Sequence, residues 1–187
     1  MNSTLPPPPV DRAQFFEKEK ANGFGEGDTV FFIGYIAEAK PGSAETVNCH
    51  CNGERFNDIH LALADHPLNL KAAAANASPA AKQEITASND AALCTNSFTA
   101  EVIPHLRPTA MERRTLEGLK DKSIVKITGQ LFFDASHHPC KGASAGSEDP
   151  SRFTSWEIHP VYAVAVCKKS TLAECSGNDP SVWKVLQ

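Results

Sequence analysis

The residue types best suited to chemistry gather on strand-like runs. His60, Glu101 and His159 each sit inside an apolar stretch, at the parity opposite to its apolar side chains. Asp58 and Glu157 lie one step from His60 and His159 on the same side. Successive side chains of a strand point to opposite faces, and neighbouring strands lie about 4.8 Å apart. If the second, third and fifth runs are adjacent strands, these five residues form one polar row. Arg107, just past the third run, is within reach of it. Three kinds of chemistry fit such a row. Imidazoles and carboxylates can satisfy one another as a structural network. Arg107 and the histidines can read an anionic or sugar ligand. His and Glu can hold a divalent metal that activates water. The spacing alone does not choose among them.

A second group pairs Cys49-His50-Cys51 with His137-His138-Pro139-Cys140, in the connections between runs one and two and between runs four and five. Cys49, Cys51, His137 and Cys140 would suit a tetrahedral zinc. The C-x-C spacing is not that of a C-x-x-C knuckle, and a disulfide between the connections or unrelated thiols fit as well. No cofactor is therefore expected beyond zinc or another divalent metal at this group or at the histidines. Cys167 and Cys175 are placed to close a small hairpin in the tail, worth ~2–3 kcal/mol if bonded. No G-x-S-x-G, Walker loop or H-E-x-x-H is present, and G-F-G-E-G at 23–27 precedes a strand rather than a helix. Trp156 has core parity. Phe132 has the parity opposite to Leu131 and Phe133, and offers an outward surface on which a base or sugar could stack.

The elements that must position these residues are five strand-like runs and one helix. The runs are 28–39, 58–64, 98–103, 123–133 and 156–167, and the helix spans about 110–120, between the third and fourth runs. Thr109 with Glu112 reads as its capping box, and Leu116, Leu119 and Met111 form its inner stripe. In the fifth run Trp156, Ile158, Tyr162, Val164 and Val166 share one parity. Gly34 interrupts a first run that is apolar on both faces, permitting the bend by which one strand serves two neighbours. Three strands, a helix and two strands is the order of the OB-fold. The expected fold is thus mainly β: an OB-like five-stranded Greek-key barrel with a capping helix between strands 3 and 4.

Outside the barrel at 28–167, residues 1–27 read as an extended, proline-rich arm with a short helix, and 168–187 as a tail packed on the barrel through Trp183. The Ala-rich insertion at 71–92, with Pro79 near its centre, reads as a long loop or a broken helix. The chain has 187 residues and a net charge of -4, which argues against non-specific duplex DNA binding, a mode that needs many Lys and Arg on phosphates. No stretch is long and apolar enough to span a membrane, and no signal peptide is visible. Six cysteines in loops favour an exported or periplasmic location.

The motifs D-I-H-L-A-L (58–63), A-E-V-I-P-H-L-R (100–107), T-G-Q-L-F-F-D-A-S-H (128–137) and W-E-I-H-P-V (156–161) resemble those of a group of uncharacterised bacterial OB-like barrel proteins with D-x-H-L, E-V-x-P-x-x-R, L-F-F-D-x-x-H and W-E-I-H-P signatures. The resemblance covers roughly residues 45–166. It implies the barrel and places Asp58, His60, Glu101, Arg107, Asp134, His137, Glu157 and His159 at motif positions, but implies no activity. The insertion and several cysteines are particular to this chain. The expected function is a non-enzymatic binding module for single-stranded nucleic acid or an oligosaccharide on the face of strands 2, 3 and 5. The alternatives are a metal-assisted, phosphodiesterase-like hydrolase using His60, Glu101, His137 and His159, and a structural accessory domain whose polar row only stabilises it.

Overall fold

The computed structural model describes residues 25–42, 55–135, 137, 139–140 and 151–187. Strand β1 (Thr29–Pro41) is followed by β2 (Ile59–Ala64), helix α1 (Pro79–Asn96), β3 (Phe98–Val102), helix α2 (Arg113–Leu119), β4 (Val125–Phe133), β5 (Trp156–Cys167) and β6 (Trp183–Val185). The strands pair in the order β3-β2-β1-β4-β5-β6, and β3 also pairs with β5, in parallel, at Thr99↔Glu157 and Ala100↔Ile158. That pairing closes β1–β5 into the expected OB-like barrel, and β6 extends the sheet as a sixth strand on β5.

Closure depends on β1 changing partners. Residues 29–34 pair with β4, and residues 35–41 pair with β2. Gly34 is the last residue of the first set. A Cβ there would collide with the Ala64 carbonyl oxygen and the ring of Phe32, so only glycine permits this approach. Inside the barrel, Ile36, Leu61, Leu63, Val102, Leu116, Val125, Ile127, Val161 and Val164 are almost wholly removed from water. In β4 the alternation is clean: Val125, Ile127, Gly129 and Leu131 are buried, while Phe132 is exposed.

Several expectations change. Thr109 does not cap the helix. Thr109–Met111 is a 3-10 turn after Pro108, and α2 starts at Arg113 with Glu112 as its N-cap residue and no side-chain cap bond. Met111 and Leu116 are nonetheless buried, so the inner stripe holds. Pro79 does not break a helix but begins one: Ser78 Oγ accepts from Ala81 N, and Pro79 takes the first turn, where its missing N–H costs nothing. The insertion is thus an irregular stretch followed by a second helix, α1, lying between strands 2 and 3. Leu93 of α1 packs with Ala37 and Ala62 on the outside of the sheet. The single parity of the fifth run also fails. Irregular pairing with β4 around Gly129 shifts the phase of β5, leaving Val161 buried and Tyr162 exposed.

The tail lies on the barrel. Trp183 pairs opposite Cys167, and Cys167–Cys175, Val182 and Trp183 form a cluster with Ile124 and Ala165. The proposed tail hairpin disulfide is therefore present. Among the described residues, no helix is long and apolar enough to cross a membrane.

Candidate functional site

The polar row assembles through strand register. His60 of β2 sits directly opposite Glu101 of β3, and its Nε2 lies 3.2 Å from Glu101 Oε1. The parallel β3–β5 pairing brings His159 alongside, with Nδ1 3.1 Å from Glu101 Oε2 and 3.1 Å from Glu157 Oε1. Strands 2, 3 and 5 are adjacent in that order, as the row requires. Asp58, just before β2, is 1% exposed and close enough to act electrostatically on His159. Gly42 makes room for the row: a Cβ there would come within 3.0 Å of His60 Nε2.

The row continues through a residue that the sequence did not single out. Arg152 is almost completely buried, and its Nη1 donates to Glu157 Oε2 at 2.9 Å. Its Nη2 donates to Asp134 Oδ2 at 2.6 Å and to the His137 carbonyl at 2.8 Å. Asp134 in turn accepts from His137 N at 3.2 Å, and its Oδ2 lies 2.6 Å from His137 Nδ1. One chain of contacts thus runs from His60 through Glu101, His159, Glu157, Arg152 and Asp134 to His137. Arg152 is held by its backbone: its carbonyl accepts from Cys140 N, the next residue's N–H bonds Ser97 O, and Asp134 N bonds Ser155 O. No periodicity could mark it, because it lies in irregular chain four residues before β5. The available signal was a basic residue just upstream of the strand carrying two site residues.

Arg107 is anchored beside the row, at the turn that leads into Asp58 and β2. Its guanidinium donates to the carbonyls of Asn57 and Arg55, at 2.9 Å each, and so fastens the turn before β2. Cys140 is not available as a metal ligand, because it is bonded to Cys94 of α1. His137 pairs with Asp134, separated from His159 by Arg152 and Glu157. Cys49, His50, Cys51 and His138 lie outside the described residues, as do most of the N-terminal arm and its suggested short helix.

Electrostatically, the row is a balance of opposite charges. Burial pushes the His159 pKa down. The hydrogen bond to Glu157 and the charges of Glu101, Glu157 and Asp58 outweigh it, and the net pKa stands above the ordinary imidazole value. On the solvent side, Phe132 of β4 is 37% exposed and packs edge-on against His159, ring centroids 5.4 Å apart. Trp156 is buried and packs on Phe133 beneath the sheet. The open face therefore offers an aromatic edge, two part-exposed imidazoles and the oxygens of Glu101.

Comparison of the chain with protein-family models, with curated proteins and with solved structures returned no match.

Proposed function

We propose that this barrel is a binding module and that the face of β2, β3 and β5 takes an oligosaccharide. The observation that carries the reading is the exposed Phe132 ring set against His159, beside carboxylates and imidazoles that can exchange hydrogen bonds with hydroxyl groups. An aromatic edge flanked by such groups suits a sugar, which is apolar on its ring faces and polar around its rim. The same surroundings disfavour the other expected ligand, single-stranded nucleic acid. Phosphates require free cationic charge, whereas Arg152 is bonded between Asp134 and Glu157 and Arg107 holds backbone carbonyls.

The test is titration of the purified protein against a panel of neutral oligosaccharides, with oligothymidylate as the competing class. Binding of a glycan, weakened roughly tenfold (about 1.4 kcal/mol) in Phe132→Ala, is expected. Tight oligothymidylate binding, or glycan binding indifferent to Phe132→Ala and His159→Ala, would overturn the reading. If both variants only lowered the melting temperature and no ligand bound, the structural accessory role would stand instead.

A second reading, the metal-assisted hydrolase, is favoured by the convergence of Glu101, Glu157 and His159, whose donor atoms lie within 4.8 Å of one another. Phosphodiester cleavage stimulated by divalent metal would support it. Of the residues expected for it, Glu101 and His159 belong to that convergence, whereas His60 and His137 do not.

A further inference from the structure

We infer that Glu101 Oε2, Glu157 Oε1 and His159 Nδ1 form a binding site for one divalent transition-metal ion of the zinc type. The inference holds whether the face takes a sugar or another ligand.

Three features of the geometry carry it. The first is convergence. Nδ1 lies 3.1 Å from each carboxylate oxygen, and one donor atom from each of the three residues falls within 4.8 Å of the other two. In a tetrahedral ion with bonds of about 2.0–2.2 Å, ligand atoms are separated by ~3.4 Å. The two contacts to Nδ1 are already close to such edges.

The second is orientation from behind. Each carboxylate uses its other oxygen elsewhere: Glu101 Oε1 faces His60 Nε2 at 3.2 Å, and Glu157 Oε2 accepts from Arg152 Nη1 at 2.9 Å. Metal sites are typically built this way, with outer groups fixing the inward oxygen of each ligand. Here His60 and Arg152 are positioning residues, and they come from β2 and from the segment before β5. Two carboxylates and a neutral imidazole also balance the charge of a divalent ion. The imidazole selects zinc-like ions over calcium or magnesium, which take oxygen ligands.

The third is access. Glu157 is buried, with its side chain 2% exposed, but that of His159 is 30% exposed. The site is closed on the barrel side and open to solvent on the other. Three protein ligands with one open side leave a fourth position for water or a ligand oxygen.

The experiment uses the full chain, stripped of metal by a chelator and then titrated with Zn²⁺ by calorimetry and with Co²⁺ by absorption. The expected result is one ion per chain, with a cobalt spectrum showing ligand-field bands but no sulfur-to-metal charge-transfer band. Affinity should fall roughly tenfold or more in His159→Gln and in Glu101→Gln, and measurably in His60→Ala, as loss of an outer partner does elsewhere. Zn²⁺ should raise the melting temperature of the unaltered protein more than that of His159→Gln, a comparison that remains readable if a variant is destabilised. Absence of stoichiometric binding would overturn the inference. So would affinity unchanged in His159→Gln, or a charge-transfer band placing the ion on thiolates.

Discussion

Arg152 and Glu157 form an ion pair at 2.9 Å with both side chains buried, the arginine arriving from irregular chain and the glutamate from the start of β5. The same guanidinium binds Asp134 just after β4. One cation therefore compensates two buried carboxylates and ties the end of one strand to the beginning of the next. Removing one partner of a buried pair costs more than the pair itself contributes, because the other charge is left in a poorly solvating interior. Arg152→Met should destabilise the protein by about 3–5 kcal/mol, read as a shift of the urea midpoint. Adding Glu157→Gln should recover part of the loss, since one of the orphaned charges is then gone. A loss no greater than that of an ordinary surface substitution would contradict this account.

Gly34 offers a backbone counterpart. At the point where β1 exchanges β4 for β2, a Cβ would meet the Ala64 carbonyl oxygen, a backbone atom that cannot rotate away. Gly34→Ala should lower stability by about 1–3 kcal/mol, as other overpacked positions do. Gly118, around which nothing lies within 4 Å, is the control. There Ala should be tolerated and can even stabilise the short helix α2, because glycine is the poorer helix former. Thermal melts of the two variants measure the difference directly.

The barrel was legible in the sequence because its logic is local. Apolar runs with period two, a glycine in the first of them, and a helix between the third and fourth are each visible without knowing the pairing. The row of His60, Glu101 and His159 was legible for the same reason: parity fixes the face, and the OB strand order fixes the neighbours. What escaped lay where pattern carries no information. Arg152 is in irregular chain, and its role depends on two carboxylates distant from any repeat. Arg107 is expected to read a ligand because it follows a strand, and the backbone carbonyls of Arg55 and Asn57 that its guanidinium fastens are not visible in any pattern. Helix α1 was obscured by its composition. Leu93 and Cys94 are its only buried residues, so it has almost no apolar stripe, and a proline inside an Ala-rich stretch signals a loop or a broken helix as readily as a helix start. In β5, the irregular pairing opposite Gly129 altered the parity after Pro160, a change that only the partner strand could reveal.

The two disulfides should contribute unequally. Cys94–Cys140 joins residues 46 apart, linking α1 to the connection between β4 and β5, whereas Cys167–Cys175 joins residues 8 apart. On the chain-entropy argument, closing the longer loop restricts the unfolded chain more, ~4 against ~2–3 kcal/mol. Replacing Cys94 and Cys140 together by Ala should therefore lower the denaturation midpoint further than replacing Cys167 and Cys175. Cys140 N also bonds the Arg152 carbonyl, so the first pair of substitutions should loosen the Arg152 segment as well. Faster amide exchange at 151–155 in that variant alone would register it.

His159 makes the stability of the metal-free protein depend on pH in a definite direction. Burial would lower its pKa. The hydrogen bond it donates to Glu157 and the charges of Glu101, Glu157 and Asp58 overcome this, so the folded protein holds the proton more tightly than the unfolded chain, whose imidazole titrates near 6.5. Facing it are Glu101 from β3, Glu157 from within β5 and the uncharged Phe132 from β4, with the Asp58 charge before β2 also acting on it and His60 of β2 lying on the other oxygen of Glu101. A group whose folded pKa is raised stabilises fully below its unfolded pKa, and that stabilisation is lost as pH rises through the folded value. With chelator present, this contribution should therefore be complete at acidic pH, decline from about pH 6.5 upward, and be gone once the folded protein has released the proton. Urea midpoints measured across that range should fall less steeply in His159→Gln than in the unaltered protein. The His159 ring resonances should titrate above 6.5 by NMR in the folded state. A folded-state pKa at or below 6.5, or equal slopes in the two proteins, would mean that burial and not the carboxylates dominates at this imidazole.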